Sequence, residues 1–312
     1  MKNKTILIAH NYYRNLGGED ISFESEVEKL KKKGNKVIVY KRNNIEINNF
    51  SFLKKLLLPL RSIWSFKTYF DIRKIIKTYK PDFIYIQNTF PLISPSIYYA
   101  AKSLNTPIIQ TLRNYRIICP SGKLYFDNKI DESSINKLFP LKAIIKRAYN
   151  YSFFETLLVM LISSLHKIFG TWKKVDAYIC LTNFSKKIFK KAGFDEDKIY
   201  VKQNFYILKD KQDKNKDKDR VLFIGRLEKE KGVITLLNAW KNIEGLTLRI
   251  IGTGNLENTL KSKIKKENIK NIELVGKKSQ EEIKREMSQA MCLVFPSEWY
   301  ETFGRVNRSI CI

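Results

Sequence analysis

Residues 221–232 read Val-Leu-Phe-Ile-Gly-Arg-Leu-Glu-Lys-Glu-Lys-Gly, and the order of these side chains decides the fold. Four bulky apolar residues, Val221–Ile224, make a short buried strand. Gly225 ends it, and a helix is expected from Val233. A strand that runs through a turn into a helix is the repeating unit of a parallel sheet with helices on its faces. Arg226 and Lys231 then stand at the carboxyl edge of that sheet, where open α/β folds bind ligands. Arginine offers a fork for phosphate oxygens and lysine a point charge. The same residues also suit an ordinary solvated loop tied by i,i+4 ion pairs, and both readings stand at this level.

The alternation continues downstream, with strands expected at Leu246–Ile251, Ile272–Val275 and Cys292–Phe295. Helices are expected at Val233–Lys241, Leu256–Lys266 and Gln280–Ala290. Upstream, Thr5–Ala9, Lys36–Tyr40, Asp82–Ile86, Thr106–Thr111 and Ala177–Leu181 are strand-like, and Ser22–Lys33 and Phe66–Tyr79 carry helical spacing. Between the two series, Lys209–Arg220 (KDKQDKNKDKDR) has no apolar residue and reads as a linker or exposed loop. The parse is two Rossmann-like α/β domains, residues 1–205 and 206–312, the second supplying four strands.

Three further stretches carry candidate chemistry. Asn15–Asp20 (NLGGED) follows the first strand. Gly17 and Gly18 there can present backbone N–H groups to an anion near a helix N-terminus, or can serve a tight turn needing positive φ, with Asp20 as a helix cap. Ile250–Gly254 (IIGTG) lacks the third glycine of a dinucleotide fingerprint, and a lone GxG is mostly a turn. Phe295–Gly304 (FPSEWYETFG) places Glu301 to accept hydroxyl groups and a glycine at a helix start.

The whole chain has 312 residues, with 58 Lys plus Arg against 31 Asp plus Glu, a formal charge of +27. That imbalance implies anionic company: nucleic acid, a phospholipid surface or a phosphorylated ligand. Two histidines exclude a His-rich metal site, and four scattered cysteines without a CxxC pair support neither a zinc ribbon nor a disulfide framework. A reducing cytoplasm fits. Tyr151–Gly170 is the most apolar stretch, but Glu155 and His166–Lys167 interrupt it short of the ~20 residues a span needs. It reads as a helix buried in the protein or lying on its surface. Phe50–Phe66 mixes Leu, Phe and Trp64 with Lys54, Lys55 and Arg61. It suits either a helix in a lipid interface or a core-facing helix, and Pro59 weakens both.

Taken together, the segments Gly17–Asp20, Gln87–Lys102, Gln110–Gly122, Gly225–Gly232, Ile250–Gly254 and Pro296–Gly304 resemble glycosyltransferase family 4. Those are retaining, metal-independent sugar transferases of GT-B fold. The resemblance spans nearly the whole chain, and its last three motifs together are highly specific. It implies two Rossmann-like domains with parallel sheets facing across a cleft, a nucleoside-diphosphate-sugar donor on the second and an acceptor on the first. No cofactor or metal is implied. Carried over by position, Arg226 and Lys231 grip the donor diphosphate and, with Glu301 on the sugar hydroxyls, carry the catalysis. Gly225, Gly252, Gly254, Thr302, Phe303 and Gly304 belong to the donor site. Gly17, Gly18, Asn88 and Arg113 belong to the acceptor side or its phosphate loop.

Two positions depart from the family. Many relatives have histidine where this chain has Arg113. An arginine cannot relay protons at neutral pH but can hold an anion. The family's second glutamate, eight positions after Glu301, is replaced by Ser309. Restoring two nucleotides in one AT-rich coding of Val306–Ile312 regenerates Val-Ile-Ile-Glu-Ala-Phe-Ala, with the glutamate at position 309. The expectation is therefore a frameshifted tail, an incomplete second domain with uncovered sheet edge and apolar face, and a product with little or no transferase activity.

The functional expectation is a glycosyltransferase, hexosyltransferase in type, acting on a lipid-linked glycan in bacterial surface polysaccharide synthesis (O-antigen or capsule). It would work in the cytoplasm, peripheral to the inner face of an anionic membrane. A non-catalytic, membrane-associated homologue is the alternative. No nucleic-acid partner is expected, because no recognition motif accompanies the charge.

Overall fold

The computed structural model describes residues 3–14, 17–204 and 217–304. It divides into two compact units, one of Met1–Leu124 and Asp131–Asn204, the other of Tyr125–Ile130 and Phe205–Ile312. The tail from 305 to 312, with Ser309, lies outside the described residues, as do Asn15 and Leu16 and most of the expected linker.

The first unit carries β1 (Thr5–Tyr12), α1 (Gly18–Lys32), β2 (Lys36–Asn43), α2 (Phe52–Leu56), α3 (Leu58–Ile63), α4 (Phe66–Tyr79), β3 (Phe83–Ile86), α5 (Ser96–Lys102) and β4 (Ile108–Leu112). After β4 the hairpin of β5 (Tyr125–Phe126) and β6 (Lys129–Ile130) belongs to the second unit. The first unit resumes with α6 (Leu141–Ile145), α7 (Phe153–Ile168), β7 (Ala177–Cys180), α8 (Asn183–Lys191) and β8 (Ile199–Val201). Its sheet has the order β2-β1-β3-β4-β7-β8, and every pairing is parallel. β1 is central and buried from Ile6 to Tyr12, so it reads as an apolar run rather than an alternating strand.

The second unit carries β9 (Asp217–Ile224), α9 (Val233–Trp240), β10 (Thr247–Ile251), α10 (Glu257–Lys266), β11 (Ile272–Gly276), α11 (Gln280–Gln289) and β12 (Ala290–Leu293). Its parallel sheet runs β11-β10-β9-β12. β9 is buried on both faces. Val221 and Phe223 join the cluster of Leu236, Leu237, Trp240 and Leu260, whereas Leu222 and Ile224 pack with Ile251 and Ala290. Burying one such side chain contributes about 1.5–3 kcal/mol.

The strand begins four residues earlier than its apolar core implies, so Asp217–Arg220 is strand and not linker. Arg220 pairs with Thr247 across the ladder, and its guanidinium donates to Gln289 and approaches Glu286. Partners on the neighbouring elements compensate for the lack of apolar character.

The segment from Phe50 to Phe66 forms two short helices, α2 and α3, with Pro59 in the first turn of the second. The core-facing reading fails here. Of α2 and α3 only Ser62 is buried, and Phe52, 83% exposed, stands outward with Leu53, Leu56 and Leu60. α7 places Val159, Met160 and Ile162 inward and Phe154 outward. Among the described residues no helix is long and apolar enough to cross a membrane.

Candidate active site

In an open parallel sheet, ligands bind outside the carboxyl ends of the strands where the strand order reverses. In the second unit that reversal lies at β9, which has β10 on one side and β12 on the other. The loops that leave it there are 225–232 and 294–304. The Lys231 ammonium lies 2.6 Å from Oε2 of Glu301, across these two loops. The same oxygen accepts the Trp299 indole N–H at 3.1 Å and the Ser297 hydroxyl at 3.3 Å. The Trp299 ring lies 5.1 Å from the ammonium. Arg226 is 61% exposed on its side chain, and its guanidinium lies 3.5 Å from the Glu230 carboxylate. The i,i+4 pair of an ordinary loop thus forms at Arg226, while Lys231 is turned to Glu301.

Glycines let these loops touch. Gly232 has φ +67, and a Cβ there would lie 1.9 Å from the Pro296 carbonyl oxygen. Gly252 has φ +144, and its Cβ would lie 1.8 Å from the Gly225 oxygen. A Cβ on Gly254 would fall 2.5 Å from the Leu227 oxygen. Backbone bonds from Gly225 N to Ile251 O and from Leu227 N to Thr253 O close the seam. Gly225, Gly252 and Gly254 therefore shape the loops through backbone contact. Thr302 is buried, and Gly304 takes a left-handed φ of 60. Phe303 is half-buried beside them.

In the first unit the order reverses at β1, between β2 and β3, and Gly17, Gly18 and Asn88 lie in the segments that follow β1 and β3. Gly17 is the N-cap of α1 with φ −118, so a positive φ does not explain it. Asp20 is not the cap residue but the third helical residue, whose carboxylate takes the Gly17 N–H at 2.7 Å. Its other oxygen meets His10 Nε2 at 2.9 Å, with both side chains buried. Asn88 donates to the Asn11 carbonyl at 2.7 Å and accepts from Phe90 N at 3.2 Å, so it braces the two loops.

Arg113 corrects a sequence expectation. It is buried, donating Nε to Gln87 at 2.7 Å, Nη1 to Asn204 at 2.9 Å and Nη2 to Glu26 at 3.2 Å. Its charge is met inside the protein rather than offered to an anion. Glu26 also accepts from the Tyr85 hydroxyl and the Gln87 amide, both at 2.9 Å, and from Lys202. Burial, then the Glu26 carboxylate, push the Tyr85 phenol far above its ordinary range.

Sequence reasoning missed Glu26, which falls on the buried stripe of α1 with Phe23 and Val27. A carboxylate at an apolar helix position was the signal for it. It also missed Glu298, which accepts from Thr235 and, at 2.9 Å, from the Tyr125 hydroxyl of the hairpin. Asn88 and Arg113 also border a small cavity of ≈60 Å³ in the first unit. Among the described residues no three His, Cys, Asp or Glu side chains are grouped to hold a metal ion.

The family description Glycosyltransferase Family 4 matches residues 17–208, and Glycosyl transferases group 1 matches residues 205–307. The chain belongs to glycosyltransferase family 4. This family 4 glycosyltransferase is 27% identical to an uncharacterized 42.6 kDa protein in the cps region of Klebsiella pneumoniae, over 96% of this chain and 80% of that one. It is 38% identical to an uncharacterized glycosyltransferase of Methanocaldococcus jannaschii over 27% of this chain and 24% of that one.

Among solved structures, a glycosyltransferase from Rickettsia africae aligns with TM-score 0.60 and 17% identity, covering 99% of this chain and 77% of that one. Anabaena HepE in complex with UDP aligns with TM-score 0.57 and 16% identity, covering 99% and 78%. TarM of S. aureus aligns with TM-score 0.61 and 11% identity, covering 98% and 83%. At these identities the likeness shows the fold, which is GT-B.

Proposed function

We propose that this glycosyltransferase takes a sugar from a nucleoside-diphosphate sugar and transfers it, with retention, to a lipid-linked saccharide in capsule or other surface polysaccharide synthesis. The observation that carries the reading is the Lys231–Glu301 pair, with exposed Arg226 on the same loop as Lys231, at the strand-order reversal of the second unit. When a glycosidic bond to a diphosphate breaks, negative charge grows on the leaving phosphate. Two cations placed there stabilise that charge more in the transition state than in the ground state, without a metal. Glu301 can accept sugar hydroxyls, and the backbone N–H groups of Phe303 and Gly304 stand beside it in the chain. Support for the donor comes from relatives of the same fold solved with UDP or UDP-glucose. Support for the pathway comes from the relative in a cps region.

The lipid-linked acceptor and an anionic membrane surface on the cytoplasmic side belong to the same reading. They are supported by exposed Phe52, Leu53, Leu56 and Leu60 interleaved with Lys54, Lys55 and Arg61. Nucleic acid has no part in it. A second reading, a homologue that binds but does not transfer, is favoured by one observation: Arg113 is held by Glu26 where many relatives have histidine. Saturation-transfer NMR with a panel of nucleotide sugars, followed by product analysis on a lipid-linked acceptor, separates the two. Donor binding followed by an α-product from an α-donor supports transfer. Binding without product supports the second reading, and no binding of any donor sinks both.

A further inference from the structure

A second cavity in the first unit is lined by none of the site residues described above. It is a cavity of about 370 Å³ between α7, the end of α8 and the segment that precedes α6, within the range of small-molecule sites. Ile117, Leu138, Pro140, Trp172 and Phe194 give it mainly apolar walls. Four cations, Lys137, Lys167, Lys173 and Lys198, line it against one carboxylate, Asp195.

Those lysines differ from their neighbours. Lys190 and Lys191, on the adjoining helix, are paired with Glu196 and Glu132. None of the four around the cavity has a carboxylate partner among the described residues. Unpaired like charges around one apolar space repel one another, and an anion within it would relieve that. The indole N–H of Trp172, on the wall, is buried without an acceptor, which costs free energy unless something supplies one.

Exposed apolar side chains adjoin this cavity in the chain. Leu138 lines the cavity and is itself exposed, and Phe139, Leu141 and Ile145, the last 81% exposed, follow it in the chain. A wholly hydrophilic ligand would leave the apolar walls of the cavity unused. We infer that this cavity binds an anionic amphiphile, a single apolar chain ending in phosphate, with the chain against Leu138, Trp172 and Phe194 and the phosphate among the four lysines. The chemistry is shared by a prenyl phosphate and a lysophospholipid. The cavity is lined by first-unit residues and uses none of the donor-loop residues, so the inference does not depend on the transfer reading.

The test uses the full chain and no transfer step. Dodecyl phosphate below its micellar concentration is titrated by calorimetry, with Trp172 fluorescence as a second readout checked against Trp172→Phe. Saturable binding is expected, with affinity at least tenfold above that for dodecyl maltoside, and no heat from inorganic phosphate. The combined Lys137→Gln, Lys167→Gln, Lys173→Gln and Lys198→Gln variant should bind at least tenfold more weakly. Ser163→Leu, which fills the space from α7, should bind weakly as well. Farnesyl phosphate against lysophosphatidic acid then tells which source the site prefers, and tighter binding of either supports it. Equal affinity for the neutral detergent, an unchanged quadruple variant, or no binding of dodecyl phosphate overturns the inference.

Discussion

Lys231 Nζ and Glu301 Oε2 are 2.6 Å apart, so a cation and an anion proposed for opposite ends of one donor molecule are paired with each other. A diphosphate would compete with Glu301 for the ammonium. Lys231→Ala should weaken UDP binding by roughly 10- to 100-fold, the size of a lost hydrogen bond to a charged group. Glu301→Gln should leave UDP affinity equal or tighter, since it releases the ammonium, while binding of the complete nucleotide sugar falls. Calorimetry with UDP and with a UDP-sugar reads both. Arg226→Ala combined with Lys231→Ala should abolish UDP binding, and retained affinity in that double variant would remove the diphosphate from this site.

Two glycines should behave oppositely when a methyl group is added. Gly252→Ala places a Cβ 1.8 Å from the Gly225 oxygen at φ +144, a backbone conformation that costs about 1–3 kcal/mol even before the clash. Its melting temperature should drop by several degrees. Gly17→Ala has φ −118 and meets only Asp20 Oδ2 at 3.8 Å, so the fold should tolerate it. If Gly17 instead lets a ligand approach the backbone, Gly17→Ala will reduce transfer at an unchanged melting temperature.

Much of the sheet was legible because parallel strands buried on both faces have no alternative reading. Phe66–Tyr79 is the helix its spacing implies, with Ile72 and Ile76 inward, and β10 and β11 fall where the apolar runs lie, whereas β9 starts earlier and β12 (Ala290–Leu293) begins two residues before the expected Cys292. The hairpin at Tyr125–Ile130 was not legible. Its strands are two residues each, and the Tyr125 hydroxyl reaches Glu298, 173 residues away. Strand Asp217–Arg220 was hidden for a related reason: partners on other elements, not its own composition, stabilise it. At the site, residue types were readable but their partners were not. Arg113 carries the same charge in a cleft or in a core, and partners far away in sequence, Glu26 and Asn204 among them, decide between the two.

The buried pair of Arg113 and Glu26 should matter for stability more than for donor binding. Removing one member of such a pair leaves the other charged and desolvated, at a cost of about 3–5 kcal/mol. Arg113→Ala should therefore lower the urea midpoint of the first unit by that amount divided by the slope, while UDP affinity changes less than twofold. Glu26→Gln should destabilise too, because Arg113 and Lys202 both lose their carboxylate. Arg113→His should lose the contacts to Asn204 and Glu26 together. A large drop in UDP affinity with normal stability would return Arg113 to the ligand site.

Acid should loosen α11 through its capping box. Glu282 accepts the Ser279 N–H at 2.8 Å, and the Lys278 ammonium lies 2.9 Å away. That backbone bond, then the lysine and the serine hydroxyl, hold the carboxyl down at about 2, against an ordinary value of 4.5. A carboxyl whose folded pKa is depressed stabilises the folded state fully above its unfolded pKa, and the contribution is lost as pH falls through the folded one. The melting temperature of the parent should exceed that of Glu282→Gln at pH 6, and the gap should close between about pH 4.5 and pH 2. Glutamine can still accept at this position, so the variant removes the charge and keeps the hydrogen-bond geometry. A gap that stays constant down to pH 2 would show that the ionised carboxylate contributes nothing to the box.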